Sequence, residues 1–264
     1  AKPEKIKKYE AKTRTMGLDT QKTFEEGEFY PCEHKKDKRI LRRLIQSDPV
    51  YAAMIESLDE NIGRLISALE ETGEMDNTLI VFTSDNGGLA TSEGSPTCNA
   101  PLAEGKGWMD EGGTREPLFV KWPGVVEPGA VCHTPVTTPD FYPTMLEAAG
   151  ADGNPDHQVD GVSIMPLLKG VGVLKREAIF WHYPHYGNQG GTPGASVRKG
   201  DYKLINFFED DRLELYNLRE DPGEARNLTE ARPDLARELK ELLSAWQKKV
   251  EAKIPQPNPD WENR

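Results

Sequence analysis

Apolar side chains at Met54, Leu58, Ile62, Leu65 and Leu69 recur every three or four residues, the spacing that gathers them on one face of a helix. Ser47-Asp48-Pro49 in front of them offers capping oxygens and a proline suited to a first turn, and Gly73 ends the run. An amphipathic helix is predicted between these limits. The next run, Thr78-Leu79-Ile80-Val81-Phe82-Thr83, is apolar at consecutive positions, so it reads as a strand buried on both faces in a helix-covered parallel sheet. Leu118 to Trp122 reads as another strand, ended by Pro123-Gly124, and Pro139-Asp140 opens a short helix carrying Phe141, Met145 and Leu146 up to Gly150. After Gly170 the period changes. Short β-rich runs at Ala178 to Trp181, Ala195 to Val197, Tyr202 to Asn206 and Leu213 to Tyr216 are followed by a helix from Pro233 with Leu235, Leu239, Leu242, Trp246 and Val250 on one face.

This order predicts an α/β domain over residues 1–172 and a smaller antiparallel sheet with a packed helix over residues 173–264. Residues 1–46, rich in Lys, Arg and Glu, read as a solvated peripheral segment, and the tail from Pro255 onward as an extended end. Residues 84–117 lack any periodic pattern, and a loop of that length inside a compact domain is usually functional.

Charge narrows the partners. The chain of 264 residues carries a net charge of −11, which repels a phosphate backbone and makes nucleic acid a poor candidate. Apolar runs such as Leu79 to Phe82 and Ala178 to Trp181 are far shorter than the roughly 18 residues of a membrane span. Cys32, Cys98 and Cys132 are widely separated without a CxxC, so neither a disulfide framework nor a cysteine zinc site is expected.

The chemistry is expected in the aperiodic loop. Asp85 and Asn86 follow the strongest strand, where ligands gather in open α/β sheets, and Gly87-Gly88 lets the backbone turn sharply behind them. Two oxygen donors suit a hard cation such as Ca²⁺ or Mg²⁺; the alternative is an Asx turn that merely ends the strand. Lys106, between Gly105 and Gly107, is a point charge on an unobstructed loop, suited to a sulfate or phosphate oxygen, although the P-loop glycine order is missing. Arg115 is better placed to tie Glu111 or Glu116 into the loop than to touch substrate. His182 and His185, in an aromatic cluster leading to Gly187, either line the leaving-group side of a site or are rings at a strand end.

The segments YAAMIESLDE at 51–60, TSDNGG at 83–88, GKGWMDEGGTREP at 105–117, DFYPTMLEAAG at 140–150 and DGVSIMPLL at 160–168 resemble those of the sulfatase family, arylsulfatase type. VRKGDYKLI at 197–205 and ELYNLREDPGE at 214–224 extend the likeness through the smaller domain. The resemblance implies an alkaline-phosphatase-like fold and a sulfuric ester hydrolase that depends on calcium. It matches Asp85 and Asn86 to calcium ligands, and Lys106 to the catalytic lysine that binds the sulfate group of the substrate. His182 and His185 are carried forward as substrate-binding candidates. The family's Cys-x-Pro-x-Arg or Ser-x-Pro-x-Arg, source of the formylglycine nucleophile, does not occur in this chain. The expectation is therefore a carboxyl-terminal half that partners a missing amino-terminal half and is inactive alone, in a periplasmic or secreted protein. The alternatives are a phosphodiesterase or phosphonate hydrolase of the same superfamily, and a non-catalytic module that binds a sulfated glycan.

Overall fold

The structure is a computed structural model and describes residues 1–259. Its elements, in chain order, are α1 (Pro3–Thr15), β1 (Phe24–Phe29), β2 (Arg39–Arg43), α2 (Pro49–Glu71), β3 (Ile80–Thr83), α3 (Glu111–Thr114), β4 (Leu118–Lys121), α4 (Phe141–Ala148), α5 (Met165–Leu168), β5 (Ile179–Tyr183), β6 (Gly194–Lys199), β7 (Tyr202–Phe207), β8 (Leu213–Asn217) and α6 (Pro233–Lys249). They group into two compact units that cut across the chain order behind the predicted boundary at 172/173. One gathers Ala1–Ile55, Asn86–Arg115 and Ala178–Arg264; the other holds Glu56–Asp85 and Glu116–Glu177.

The first unit is built on an antiparallel sheet in the order β5-β6-β7-β8. Both of its faces are covered, and the alternation of side chains decides what meets what. Ala195, Val197, Leu204 and Leu215 point to α6 and pack with its Ala236, Leu239 and Leu243. Trp246 adds a ring stacked on Phe180 at 4.8 Å between centroids. The intervening residues face the other way, where Ile205, Phe207 and Tyr216 pack with Met109. That parity also sends the Lys203 side chain to the Met109 side, where it is fully buried.

Residues 1–46 depart from the solvated segment expected of their composition. They form α1 and an antiparallel β1–β2 hairpin, and Tyr30, Cys32 and Ile40 make a small core against Trp108. The tyrosine hydroxyl donates to Thr91 O at 2.6 Å. The physical reason is that three apolar residues suffice for a local core when long basic side chains pack along it and keep their charged ends paired. Of the tail, residues 255–259 have no regular structure, as expected, and the rest of it lies outside the described residues.

In the second unit β3 and β4 pair antiparallel, Ile80 opposite Lys121 and Thr83 opposite Leu118. The expected parallel sheet with both faces buried is not what the described residues form. The pair has no further strand, and Phe82 and Phe119, 6.2 Å apart, are 40% and 62% exposed. An apolar run reports a tendency to be covered; it does not by itself supply the covering layer. The predicted helices form: Asp48 Oδ1 accepts the Tyr51 N–H at 2.8 Å to cap α2, and α4 follows a capping box made by Thr137 and Asp140. Asp140, fully buried, also accepts the Val162 N–H at 2.9 Å and the Arg176 guanidinium at 2.7 Å. No helix among the described residues is long and apolar enough to cross a membrane.

Candidate functional site

Asp85 ends the second unit and Asn86 begins the first. Asp85 lies just past β3 and is exposed, and among the described residues its carboxylate has no hydrogen-bond or ion-pair partner. Asn86 is half-buried. Behind it the chain turns where only glycine fits: a Cβ on Gly87 would stand 1.7 Å from Gly112 O, and the Gly87 N–H donates to Gly113 O at 3.1 Å. The glycines predicted to permit a bend thus serve close backbone packing.

The same packing brings the Lys106 loop alongside. The Lys106 N–H donates to Gly88 O at 3.1 Å, and Asn99 Nδ2 bridges Gly88 O at 2.8 Å and Glu104 O at 2.9 Å. The backbones that carry Asn86 and Lys106 are therefore hydrogen-bonded neighbours. The Lys106 side chain is exposed, and among the described residues its ammonium has no hydrogen-bond or ion-pair partner. A cation held open on a glycine-rich loop has little desolvation to overcome before it meets an anion.

Charge around this loop is ordered by Arg42, one of the basic residues of the segment 1–46. Its Nε donates to both carboxylate oxygens of Glu104 at 2.8 Å, and Glu28 takes its other nitrogens. Burial opposes the charge on Arg42, but these two carboxylates outweigh burial and raise its pKa. Burial raises the pKa of Glu104 despite the same pairing.

Beneath the loop lies a second cluster absent from the sequence prediction. Lys203 Nζ donates to Glu111 Oε1 at 3.1 Å and is 3.1 Å from Glu224 Oε1, with all three side chains essentially closed to solvent. Glu224 Oε2 accepts the Glu111 N–H at 2.5 Å. Burial pushes the Glu224 carboxyl up to about 7, with Lys203 pulling the other way. Asp110 is raised as well, first by burial. Arg115 lies 3.8 Å from Glu111, in the tying role expected of it.

His182 and His185 part company. The His182 ring is engaged at both nitrogens, with Nε2 3.0 Å from Lys253 O and Nδ1 3.3 Å from Gln247 Nε2. The geometry makes Nε2 the N–H that donates to the carbonyl, leaving Nδ1 to accept from the amide. This ring ties the end of α6 to β5. His185 is exposed and meets Tyr183 edge-on at 5.2 Å. All three cysteines are free thiols. Among the described residues no three His, Cys, Asp or Glu side chains cluster as a metal site.

The family model "Sulfatase" matches residues 3–151, and "N-sulphoglucosamine sulphohydrolase, C-terminal" matches residues 104–249. The chain is 39% identical over 238 residues to a sulfatase of Formosa agariphila, covering 81% of this chain and 42% of that protein. It is 34% identical to human arylsulfatase A, covering 73% of this chain and 42% of the relative. The chain thus spans less than half the length of these curated relatives. Among solved structures, one complexed with k-i-k-neocarrahexaose aligns at TM-score 0.67 with 30% identity, covering 75% of this chain and 43% of that one. One complexed with its substrate D-glucosamine-2-N,6-O-disulfate aligns at TM-score 0.65 with 31% identity, covering 78% and 41%. The fold is α/β, of the alkaline-phosphatase-like class these structures share, with the antiparallel sheet and α6 as its carboxyl-terminal part. With one family model spanning more than half of its length and relatives above 30% identity over most of it, the chain belongs to the sulfatase family.

Proposed function

We propose that this chain is part of a sulfuric ester hydrolase in which Lys106 holds the sulfate group and Asp85 and Asn86 contribute to a calcium site. The observation that carries the reading is the hydrogen bond from Lys106 N–H to Gly88 O, which sets the lysine loop against the turn that begins at Asn86. A carboxylate and a carboxamide are hard oxygen donors of the kind calcium takes, so they fit as part of a donor set of about 6–8 oxygens. Calcium, when bound, would supply Lewis-acid polarisation of the ester. Lys106 would place its ammonium against a sulfuryl oxygen and offset the negative charge that grows there during cleavage.

The remaining calcium ligands and the formylglycine nucleophile belong, in this reading, to residues outside the chain, so the 264 residues alone turn over no substrate. The preferred substrate is a carbohydrate sulfate, supported by the saccharide ligands of the structural neighbours. An exported location is part of the same proposal. The rival is phosphonate ester hydrolysis, supported by a likeness to the phosphonate monoester hydrolase of Agrobacterium radiobacter at TM-score 0.57 and 25% identity.

Sulfate release from p-nitrophenyl sulfate and from sulfated sugars, measured on the chain with its native upstream sequence, tests the reading. Calcium-dependent release that Lys106→Ala lowers by about a hundredfold or more is expected. Turnover by the 264-residue chain alone would overturn the placement of the nucleophile, and a preference for phenyl phosphonate esters would favour the rival. Glycan binding without turnover by the longer protein would make it a binding module.

A further inference from the structure

The Lys203 cluster is the most deeply buried set of charges in the first unit, and the proposed chemistry does not use it. Its members come from three distant parts of the sequence: Asp110 and Glu111 at the start of α3, Lys203 on β7, and Glu224 on the loop after β8. Glu224 adopts φ +51°, a conformation non-glycine residues rarely take, and from there its Oε2 accepts the Glu111 N–H. Lys203 meets both carboxylates and lies 3.4 Å from Thr114 Oγ1. The other Glu111 oxygen faces Arg198 at 3.5 Å and Arg115 at 3.8 Å.

What the cluster grips is the turn that supports the lysine loop. From Glu111 the backbone contacts run without slack toward Lys106. The Gly112 N–H donates to Ala103 O at 2.7 Å, and the Gly113 carbonyl accepts from Gly87. A Cβ on Gly112 would stand 2.1 Å from Ala103 O, and one on Gly113 2.3 Å from Trp108 O and 2.5 Å from Gly105 O. Segments packed this closely move together, because no void is left to absorb a shift.

We propose that Lys203 and Glu224 are positioning residues for Lys106: they fix the Glu111 turn from the buried side of the sheet, and through it the 103–113 loop that presents the lysine. The inference deepens the sulfate-holding reading of Lys106 and rests on it for its functional meaning. Lys203 supplies one positive charge to two carboxylates, with Asp110 close enough to both Lys203 and Glu224 to influence them. Tyr216 from β8 faces the same carboxyls, and Arg42 and Arg212 act on Asp110. With Glu224 neutral the Lys203 ammonium serves Glu111 alone; with Glu224 ionised it is shared between two carboxylates closed to solvent, while the other cations at Glu111, Arg198 and Arg115, lie on its far oxygen and are more open to water. The grip on the turn is therefore firmer at mildly acidic than at mildly alkaline pH.

Hydrogen exchange read by mass spectrometry on the full protein tests this without substrate, so it stands or falls separately from the role of Lys106. After correction for intrinsic rates, peptides covering 103–115 are expected to lose protection as pH rises through about 7, while α6 peptides do not. Glu224→Gln keeps a carbonyl to accept the Glu111 N–H and removes the charge, so it should retain protection and flatten the pH profile. Lys203→Met should speed exchange of 103–115 by about tenfold or more, with α6 unchanged. Unaltered exchange of 103–115 in Lys203→Met would overturn the proposal. So would uniform loosening of the whole sheet, which marks a merely structural role, or a pH profile that Glu224→Gln leaves intact. Sulfate-ester turnover insensitive to Lys106→Ala, with these exchange results obtained, would refute the lysine's role and leave the positioning intact.

Discussion

The Arg42 guanidinium meets both carboxylate oxygens of Glu104 at 2.8 Å, joining β2 to the loop that leads into Gly105 and Lys106. Glu104 takes φ +57° and its side chain is only 17% exposed, so the ion pair holds a conformation the backbone would otherwise leave. Arg42→Ala leaves that carboxylate buried without its partner and is expected to cost about 3 kcal/mol in chemical denaturation. Arg42→Lys should recover only part of the loss, since an ammonium cannot reproduce the two-oxygen contact and the links to Glu28 together.

Asp140 gives a second case in which removing one partner of a buried pair strands the other. Its carboxylate accepts Thr137 N–H at 2.7 Å, Val162 N–H at 2.9 Å and Arg176 Nη1 at 2.7 Å, at full burial. Asp140→Ala unpairs two backbone donors and strands a guanidinium that is 14% exposed, and should lower stability by about 3–5 kcal/mol. In a double-mutant cycle, Arg176→Ala added to Asp140→Ala should be nearly free, the signature of a coupled pair.

Most elements were legible from local patterns bounded by capping and turn residues. The four strands from Ile179 to Asn217 and the helix Pro233–Lys249 fall within a few residues of their predicted limits, because each pattern reports a face in actual contact with its partner. The organisation of residues 1–46 was hidden by composition: one buried Ile40 and one buried Tyr30 leave no period among so many lysines and arginines. The loop site was legible as residue types at a strand end. Its support was not, because Glu111, Lys203 and Glu224 are brought together by tertiary packing, and nothing in their spacing announces an ion cluster. Glu224 could be glimpsed only as part of the quoted DPGE at 221–224, with no geometry attached.

Helices α2 and α6 carry similar apolar stripes yet should respond differently to truncation. Leu239 on α6 is fully buried, whereas Leu65 on α2 is 60% exposed. Leu239→Ala is expected to cost about 2–5 kcal/mol and Leu65→Ala to stay within about 0.5 kcal/mol in the same denaturation experiment. A large loss at Leu65 would mean that this face is covered in solution.

Lys106→Met should separate chemistry from folding. The side chain is exposed and among the described residues has no ionic partner, so stability should change by no more than about 0.5 kcal/mol. Affinity for sulfate ester, measured on the protein with its upstream sequence, should fall steeply, and sulfate protection of the 103–115 peptides in hydrogen exchange should vanish.

The pH dependence of stability follows from the same buried carboxyls. Glu224, raised by burial from an ordinary 4.5 to about 7, binds its proton more tightly folded than unfolded. Its proton-linked contribution to stability is thus fully present below about 4.5 and is lost as pH rises through about 7. Glu104, raised in the same direction by the same cause, adds to that slope. Glu28 and Asp211 run the opposite way: both are lowered, first by side-chain hydrogen bonds from Arg42 and Lys240, so their stabilisation is present at neutral pH and is lost on acidification. Urea midpoints across this range should therefore show wild-type stability declining from mildly acidic to mildly alkaline pH. Glu224→Gln should remove most of that decline, because it keeps the shape and the acceptor while taking away the carboxyl that burial pushes up to about 7. A slope unchanged by this variant would move the titrating group to Asp110, whose carboxyl is raised by burial beside the same lysine.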